Sequence, residues 1–419
     1  IGLFAINAVA TRLVTFLLVP LYTAFMTSSE YGITDMSLTV ISLVTPLATL
    51  AAADAIVRFI VGDRANGGAY AFLGLAVTLA SIVLVAVLAP ILDLDVFGGL
   101  GNYRGWFVLA YATNALLQVF GSIARGLGRI RLIPICAGVS SLITCVLAVV
   151  LIGFMGMTVD GYFISVSVGP LAAFFIYSIA GGIGHVVIEG SRTLLGTRGR
   201  LHRIKRFGSP MLRYALPLIP NSLFWWVGTS ISRFFITGMV GISASGLFAA
   251  AGKIPNLLNT MYSIFQQAWQ LSAFQESKSK DLEKFFSTVF RTLQAGITIL
   301  CALVSFLTPW IASVFLQGEF YAAWPMISIL LIANLMNVFN SFYGTIYTTT
   351  MHTGYIMRTT VVGAVTCVLL TPVLVSLVGV YGACAASAVS NASVFLMRAV
   401  DSRKYIRFDA RWKTLTPTL

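Results

Sequence analysis

Charge is scarce in this sequence. Asp, Glu, Lys and Arg make up only 10% of its 419 residues, whereas a soluble globular chain carries roughly a quarter. Histidine is scarcer still. His185, His202 and His352 are the three copies, and none belongs to a grouping that resembles a metal site or a catalytic triad. The five cysteines, Cys136, Cys145, Cys301, Cys367 and Cys384, all fall within apolar runs. They read as small packing residues, not as a disulfide framework or a metal spacing. A phosphate loop of the form G-x-x-x-x-G-K-[ST] is also missing, since A-A-G-K-I-P-N around Lys253 has neither its spacing nor its hydroxyl. From these absences we expect no metal, no cofactor and no enzyme activity.

What replaces charge is apolar length. Hydrophobic residues form 58% of the chain, too many for a water-facing surface to cover. Runs of about 20 mostly apolar residues mark spanning helices. Twelve are visible: 3–25, 36–61, 69–92, 105–123, 133–155, 160–182, 215–240, 245–269, 285–315, 322–347, 357–378 and 380–400. They are too long, and too poor in two-residue alternation, to be barrel strands. The expected fold class is therefore an all-α polytopic membrane protein of about 12 transmembrane helices. Span 1 has full spanning length and does not read as a cleavable signal peptide. A chain that starts at Ile1 leads us to expect that residues precede it.

The net charge of +13 invites a nucleic-acid reading, which its distribution argues against. The connections after spans 2, 4, 6, 8 and 10, together with the C-terminal tail, hold 22 of the 27 Lys and Arg. Among the bases between spans, the alternate connections hold only Arg104, beside Glu30, Asp35, Asp93, Asp95, Asp160 and Glu319. By the positive-inside rule both termini are cytoplasmic, and the basic excess is mainly an orientation signal. The connections on the other side are short and leave no room for a catalytic domain there.

The longest polar stretch, His185 to Arg213, divides the spans six and six. The expected organisation is an N-lobe at 1–182, a basic cytoplasmic linker at 183–214, a C-lobe at 215–400 and a basic tail at 401–419. An even split around a linker points to structural repeats of the kind found in secondary transporters. A faint echo supports it: S-E-Y-G-I-T (29–34) and S-A-S-G-L-F (243–248) each follow the first span of a half. The linker reads first as a solvated loop that enforces topology, and second as an amphipathic helix drawn to anionic lipid.

Charges within the spans are the candidate functional groups. A charge at mid-bilayer costs about 2.5–3.5 kcal/mol on insertion scales, so Arg12, Asp54, Arg58, Arg233 and Lys253 must face one another or a wet cavity. Asp54 and Arg58 lie four apart in A-T-L-A-A-A-D-A-I-V-R-F-I-V and share a helix face. They form either a structural pair or a site where Asp54 couples transport to an ion. Arg233 and Lys253 flank the turn near Gly241 at similar distances, which places them at similar depth. Trp226 shares a face with Arg233 and is either a packing residue or a stacking surface for a sugar. Asn334, Asn337 and Asn340 form a polar stripe in span 10 that either bonds another helix or lines a wet path. Three deep bases against one deep acid predict an electropositive interior suited to an anionic substrate.

Certain segments resemble a known family. R-L-V-T-F-L-L-V-P-L-Y-T-A-F-M-T-S-S-E-Y-G-I-T-D-M-S-L (12–38) followed by D-A-I-V-R-F is similar to the start of prokaryotic polysaccharide (O-antigen) flippases of the multidrug/oligosaccharidyl-lipid/polysaccharide exporter superfamily. L-P-L-I-P-N-S-L-F-W-W-V-G-T-S-I-S-R-F-F-I (216–236) and the run from Ser245 through Lys253-Ile-Pro to Gln270 extend the resemblance into the second half. The resemblance implies two six-helix lobes around a central cationic cavity. It also implies alternating access carrying a polyprenyl-pyrophosphate-linked glycan between leaflets of a prokaryotic cytoplasmic membrane, and it makes Arg12, Arg58, Arg233 and Lys253 candidates to receive the anionic group. The expected partners are that glycan, membrane lipids, H+ or Na+ and polysaccharide polymerase or assembly proteins. Where the family often has an acid just before the span-7 arginine, this chain has Ser232, which leaves Asp54 as the ion-coupling candidate. The competing readings are a small-molecule exporter of multidrug type, a membrane-embedded glycan polymerase or ligase, and a scaffold for glycan assembly.

Overall fold

The computed structural model describes residues 16–196, 200–276, 281–350, 352 and 354–406. Arg12 and most of the C-terminal tail lie outside them. Among the described residues the regular structure is helical, joined by short turns, with no strand. The helices are α1 (Phe16–Phe25 in its described part), α2 (Ser28–Ala48), α3 (Ala52–Gly62), α4 (Gly67–Leu88), α5 (Arg104–Gly126), α6 (Leu132–Ala148), α7 (Val159–Ser178) and α8 (Ile183–Leu195). They continue with α9 (Arg200–Ala215), α10 (Leu218–Met239), α11 (Ile242–Gln275), α12 (Leu282–Phe315), α13 (Trp324–Thr349), α14 (Gly354–Val378) and α15 (Val380–Asp401). Nine helical segments of this set are long and apolar enough to cross a membrane. All twelve expected runs are mainly helical where they are described, so the polytopic all-α reading holds. The second run differs from expectation, because it is two helices, α2 and α3, and not one.

The chain divides into two compact units, 1–26 with 33–226, and 27–32 with 227–419. In the first, α3 packs on α4 and α5 through small residues. A side chain on Gly74 would collide with Ile56, and one on Gly126 would come within 2.8 Å of the Ile60 Cβ. Glycine at such crossings lets helix backbones approach closely, which is how membrane helices associate when no water is there to drive them together. Ala52, Ala55, Ile56 and Ile60 form the buried face of α3. Asp54 and Arg58 are left on its exposed face.

The segment first read as a solvated loop folds as α8 and α9, and both pack into the first unit. Ile183, Val187, Gly190 and Leu194 bury one face of α8, with Gly190 seated against the Gly68 backbone of α4. Phe207, Met211 and Ala215 bury one face of α9 within the core that holds Ile56, Ile60 and Tyr70. The pattern of apolar residues three and four apart was present in the sequence, but the density of arginines masked it.

In the second unit the two echoing segments meet. The Ser28 and Ser243 hydroxyls are hydrogen-bonded to each other, and the Ser28 amide donates to Glu319. A side chain on Gly32 would strike the Ile242 carbonyl, and one on Gly246 would strike the Ser28 carbonyl. The contact is reciprocal: Ser28 stands to Gly32 as Ile242 stands to Gly246. That symmetry is what a repeat predicts, and it explains why glycine and a small residue recur in both segments.

Candidate functional site

The break between α2 and α3 has local causes. Pro46 lies inside α2 and cannot donate the helical bond to the Ser42 carbonyl. Thr45 and Thr49 hydroxyls each donate to the carbonyl four residues back, both at 2.6 Å, a pattern that bends helices. The chain then turns left-handed at Leu50 (φ 52°) and Ala51 (φ 50°). Neither is glycine, so the turn costs about 1–2 kcal/mol per residue. Non-glycine residues held there are a reason to look for a site. Asp54 falls in the first turn of α3, the helix end that favours negative charge.

A cavity of about 760 Å³ opens at this break. Its polar wall is Ser42, Thr45, Thr49, Asp54, Asn114, Gln118 and Ser222, and the rest is apolar or aromatic, Trp225 and Trp226 included. The volume falls in the range of small-molecule sites, about 300–1,000 Å³. Asp54 and Gln118 are exposed, and the Asp54 carboxylate makes no hydrogen bond or ion pair among the described residues. In particular it does not pair with Arg58, whose side chain is outside the cavity wall. The two tryptophans differ in burial. Trp226 is 5% exposed and its Nε1 donates to the Thr39 carbonyl at 3.2 Å and to Ser42 Oγ at 3.0 Å, tying α10 to α2. Trp225 is 65% exposed and offers its ring to the cavity.

The other described residues named from sequence, Arg233, Lys253, Asn334, Asn337 and Asn340, lie in the second unit, and Arg12 lies outside the described residues. Arg233 and Lys253 are half-buried on α10 and α11, with the Arg233 guanidinium 6.0 Å from the centre of the Phe248 ring. The asparagine stripe of α13 bonds other helices. Asn259 of α11 donates to Asn334 and accepts from Asn337 at 3.3 Å. Asn340 donates to the Asn391 carbonyl of α15 at 3.0 Å.

Sequence reasoning passed over several residues. Asn114 and Gln118 are four apart within an apolar helix, which was a readable signal of a polar face. Arg398, counted from sequence as part of the basic tail region, is 7% exposed inside α15. Its Nε donates to Thr359 Oγ1 at 2.9 Å and its Nη1 to the Asn340 carbonyl at 2.7 Å, joining α13, α14 and α15. No carboxylate pairs with it among the described residues.

Solved structures share this fold. The lipid II flippase MurJ in its inward closed conformation superposes with a TM-score of 0.72 at 15% identity, over 98% of this chain and 88% of that one. An inward-facing multidrug resistance MATE family transporter of the MOP superfamily superposes with a TM-score of 0.70 at 16% identity, over 96% and 98%. A MOP superfamily transporter from Pyrococcus furiosus gives 0.60 at 15% identity, over 96% and 95%. No curated protein matches the chain. At these identities the likeness concerns the fold alone. Residues 1–270, however, match a family in their own right, and with the multi-spanning helical fold they place the chain: it belongs to the polysaccharide biosynthesis protein family and has the fold of the MOP superfamily.

Proposed function

We propose that this protein is a flippase that moves a polyprenyl-pyrophosphate-linked oligosaccharide from the cytoplasmic to the outer leaflet by alternating access, for cell-surface polysaccharide synthesis. The observation that carries the reading is the cavity at the α2–α3 break, in a chain of a polysaccharide family. Asp54, Asn114 and Ser222 supply acceptor oxygens, the donors of Asn114 and Ser222 being given to helix carbonyls, Gln118 supplies an amide, and Trp225 supplies an exposed ring. Hydroxyl-rich sugars are recognised by that combination of directional polar groups and an apolar face. Discontinuous helices mark substrate and ion sites in secondary transporters. Here the break puts a carboxylate and backbone polar groups beside the cavity without burying them in lipid.

On this reading Arg12, Arg58, Arg233 and Lys253 receive the pyrophosphate, and Asp54 couples movement to H+ or Na+. The membrane is the prokaryotic cytoplasmic membrane, both termini are cytoplasmic, and the lobes 1–182 and 215–400 act as the alternating bodies. Polysaccharide polymerase and assembly proteins are the proposed partners after release.

The test is leaflet-resolved transport of a polyprenyl-pyrophosphate oligosaccharide in sealed proteoliposomes. The intact protein is compared with Asp54→Asn, Trp225→Ala and the Arg233→Ala/Lys253→Ala pair. Transport that falls in all three variants supports the assignment. Absence of transport in the intact protein, in liposomes where a control flippase works, overturns it. A second reading, export of a cationic small molecule, is favoured by one observation: the charged residue on the cavity wall is the acid Asp54. Competition of transport by organic cations, with no effect of lipid-linked glycan, would establish that reading instead.

A further inference from the structure

The cavity leaves α9 unused. Its inner face is occupied by protein: Phe207, Met211 and Ala215 are buried, Phe207 meets Tyr70 edge-on at 5.3 Å and Tyr214 meets Phe59 at 6.1 Å. Tyr70 is in the first turn of α4 and Phe59 in the last turn of α3, so α9 lies where two membrane helices end. At 100° per residue, His202, Lys205, Arg206, Ser209 and Arg213 fall on the opposite arc, and all five are exposed. Arg192 of α8 and Arg200 at the start of α9 are exposed beside them. Acid is sparse here, although Asp63 at the end of α3 accepts a hydrogen bond from Tyr70, which lies within electrostatic range of Arg206. Glu189 is the one carboxylate within α8 and α9, and it faces His185 at 3.5 Å.

We infer that the outer face of α9, with Lys205, Arg206 and Arg213 at its centre, is a docking surface for the anionic headgroups of bilayer phospholipids. Three observations select that occupant. The face is basic with no neutralising carboxylate on its own helix. It sits at the level where spanning helices end, which is the headgroup level. Its apolar side is already filled by Phe59 and Tyr70, so the helix binds by charge and does not bury itself in the acyl region as a free amphipathic helix does. Bases near an anionic surface are attracted within about a Debye length, roughly 8–10 Å at moderate salt. The surface therefore anchors the segment that joins the two halves of the chain, independently of what the cavity transports.

The experiment uses the full-length protein in nanodiscs of phosphatidylcholine alone and of phosphatidylcholine mixed equally with phosphatidylglycerol. Hydrogen exchange of residues 200–215 is followed, and phospholipids retained on gentle release are counted by native mass spectrometry. Phosphatidylglycerol is expected to slow exchange of α9 about tenfold and to be retained preferentially, with both effects lost as salt is raised. The triple variant Lys205→Gln/Arg206→Gln/Arg213→Gln is expected to remove both effects while leaving exchange of α13 unchanged. The salt titration on the unaltered protein tests the inference without any variant. Equal protection in neutral and anionic bilayers overturns it and leaves this face to an acidic protein partner. Protection that persists at high salt overturns it as well, because that would mean insertion.

Discussion

The two units treat polar groups in the membrane differently. In the first, Asp54 stands on the wall of a cavity beside a backbone break, and its carboxylate is bonded to no described residue. In the second, Asn334, Asn337 and Asn340 within α13 and Arg398 in the last turn of α15 are each hydrogen-bonded to a neighbouring helix or its backbone. A polar side chain in hydrocarbon has two stable fates: it can bond another helix, or it can face water and a substrate. The difference separates residues that hold the protein together from those free to act on something else. Removing the first kind costs stability, and removing the second costs transport.

The largest expected effect breaks the second unit. Arg398→Ala removes the bonds to Thr359 and the Asn340 carbonyl and leaves a void among α13, α14 and α15. Denaturation in detergent should show a loss of about 3 kcal/mol, combining cavity and hydrogen-bond costs. Transport per folded molecule should be unchanged.

The converse result is expected for Asp54→Asn. Transport should fall at least about tenfold, equivalent to about 1.4 kcal/mol in the barrier, with the unfolding midpoint unmoved. A fall in stability as large as that of the Arg398 variant would erase the contrast between the units.

Ala51→Gly tests the break itself. Glycine accepts the left-handed conformation, which relieves about 1–2 kcal/mol, while its greater freedom in the unfolded chain returns about 0.4–1. Loss of the Ala51 methyl, 6% exposed, takes back about 0.8 kcal/mol more. Stability should therefore stay within about 1 kcal/mol of the parent, where the same change inside a regular helix lowers it by about 1 kcal/mol. Asn337→Ala gives a comparably small effect. One interhelical hydrogen bond in a membrane bundle averages about 0.6 kcal/mol, and that loss should appear with transport retained.

Much of the fold was legible because a bilayer restricts the choices. Apolar runs of spanning length must be helices, since no other unpaired segment can satisfy its backbone there. Pro46 and the threonines of α2 were visible, but nothing in T-L-A-A-A-D announces a left-handed turn. Alanine and leucine are strong helix formers, and tertiary packing of α3 on Gly74 and Gly126 overrides that preference. At the site, Asp54 was marked by its charge alone. Its companions Asn114, Gln118, Ser222 and Trp225 come from α5 and α10, and no local pattern joins residues so distant in sequence. Arg398 shows the same limit in reverse: counted by position as a base near the membrane edge, it becomes a buried tie by virtue of the hydroxyls and carbonyls around it.

By itself, then, the sequence determined that this is a membrane protein, about how many times it crosses, and which few residues carry a charge too costly to leave in lipid. Those properties follow from transfer free energies, which are additive along a chain and need no neighbours. Only the tertiary structure decided which charges stand open in a cavity, which asparagines bond another helix, which tryptophan of the Trp225–Trp226 pair is buried, and that the basic segment between the halves is two docked helices. Each of those depends on which group lies within hydrogen-bond or packing distance of another, and helices distant in sequence set those distances.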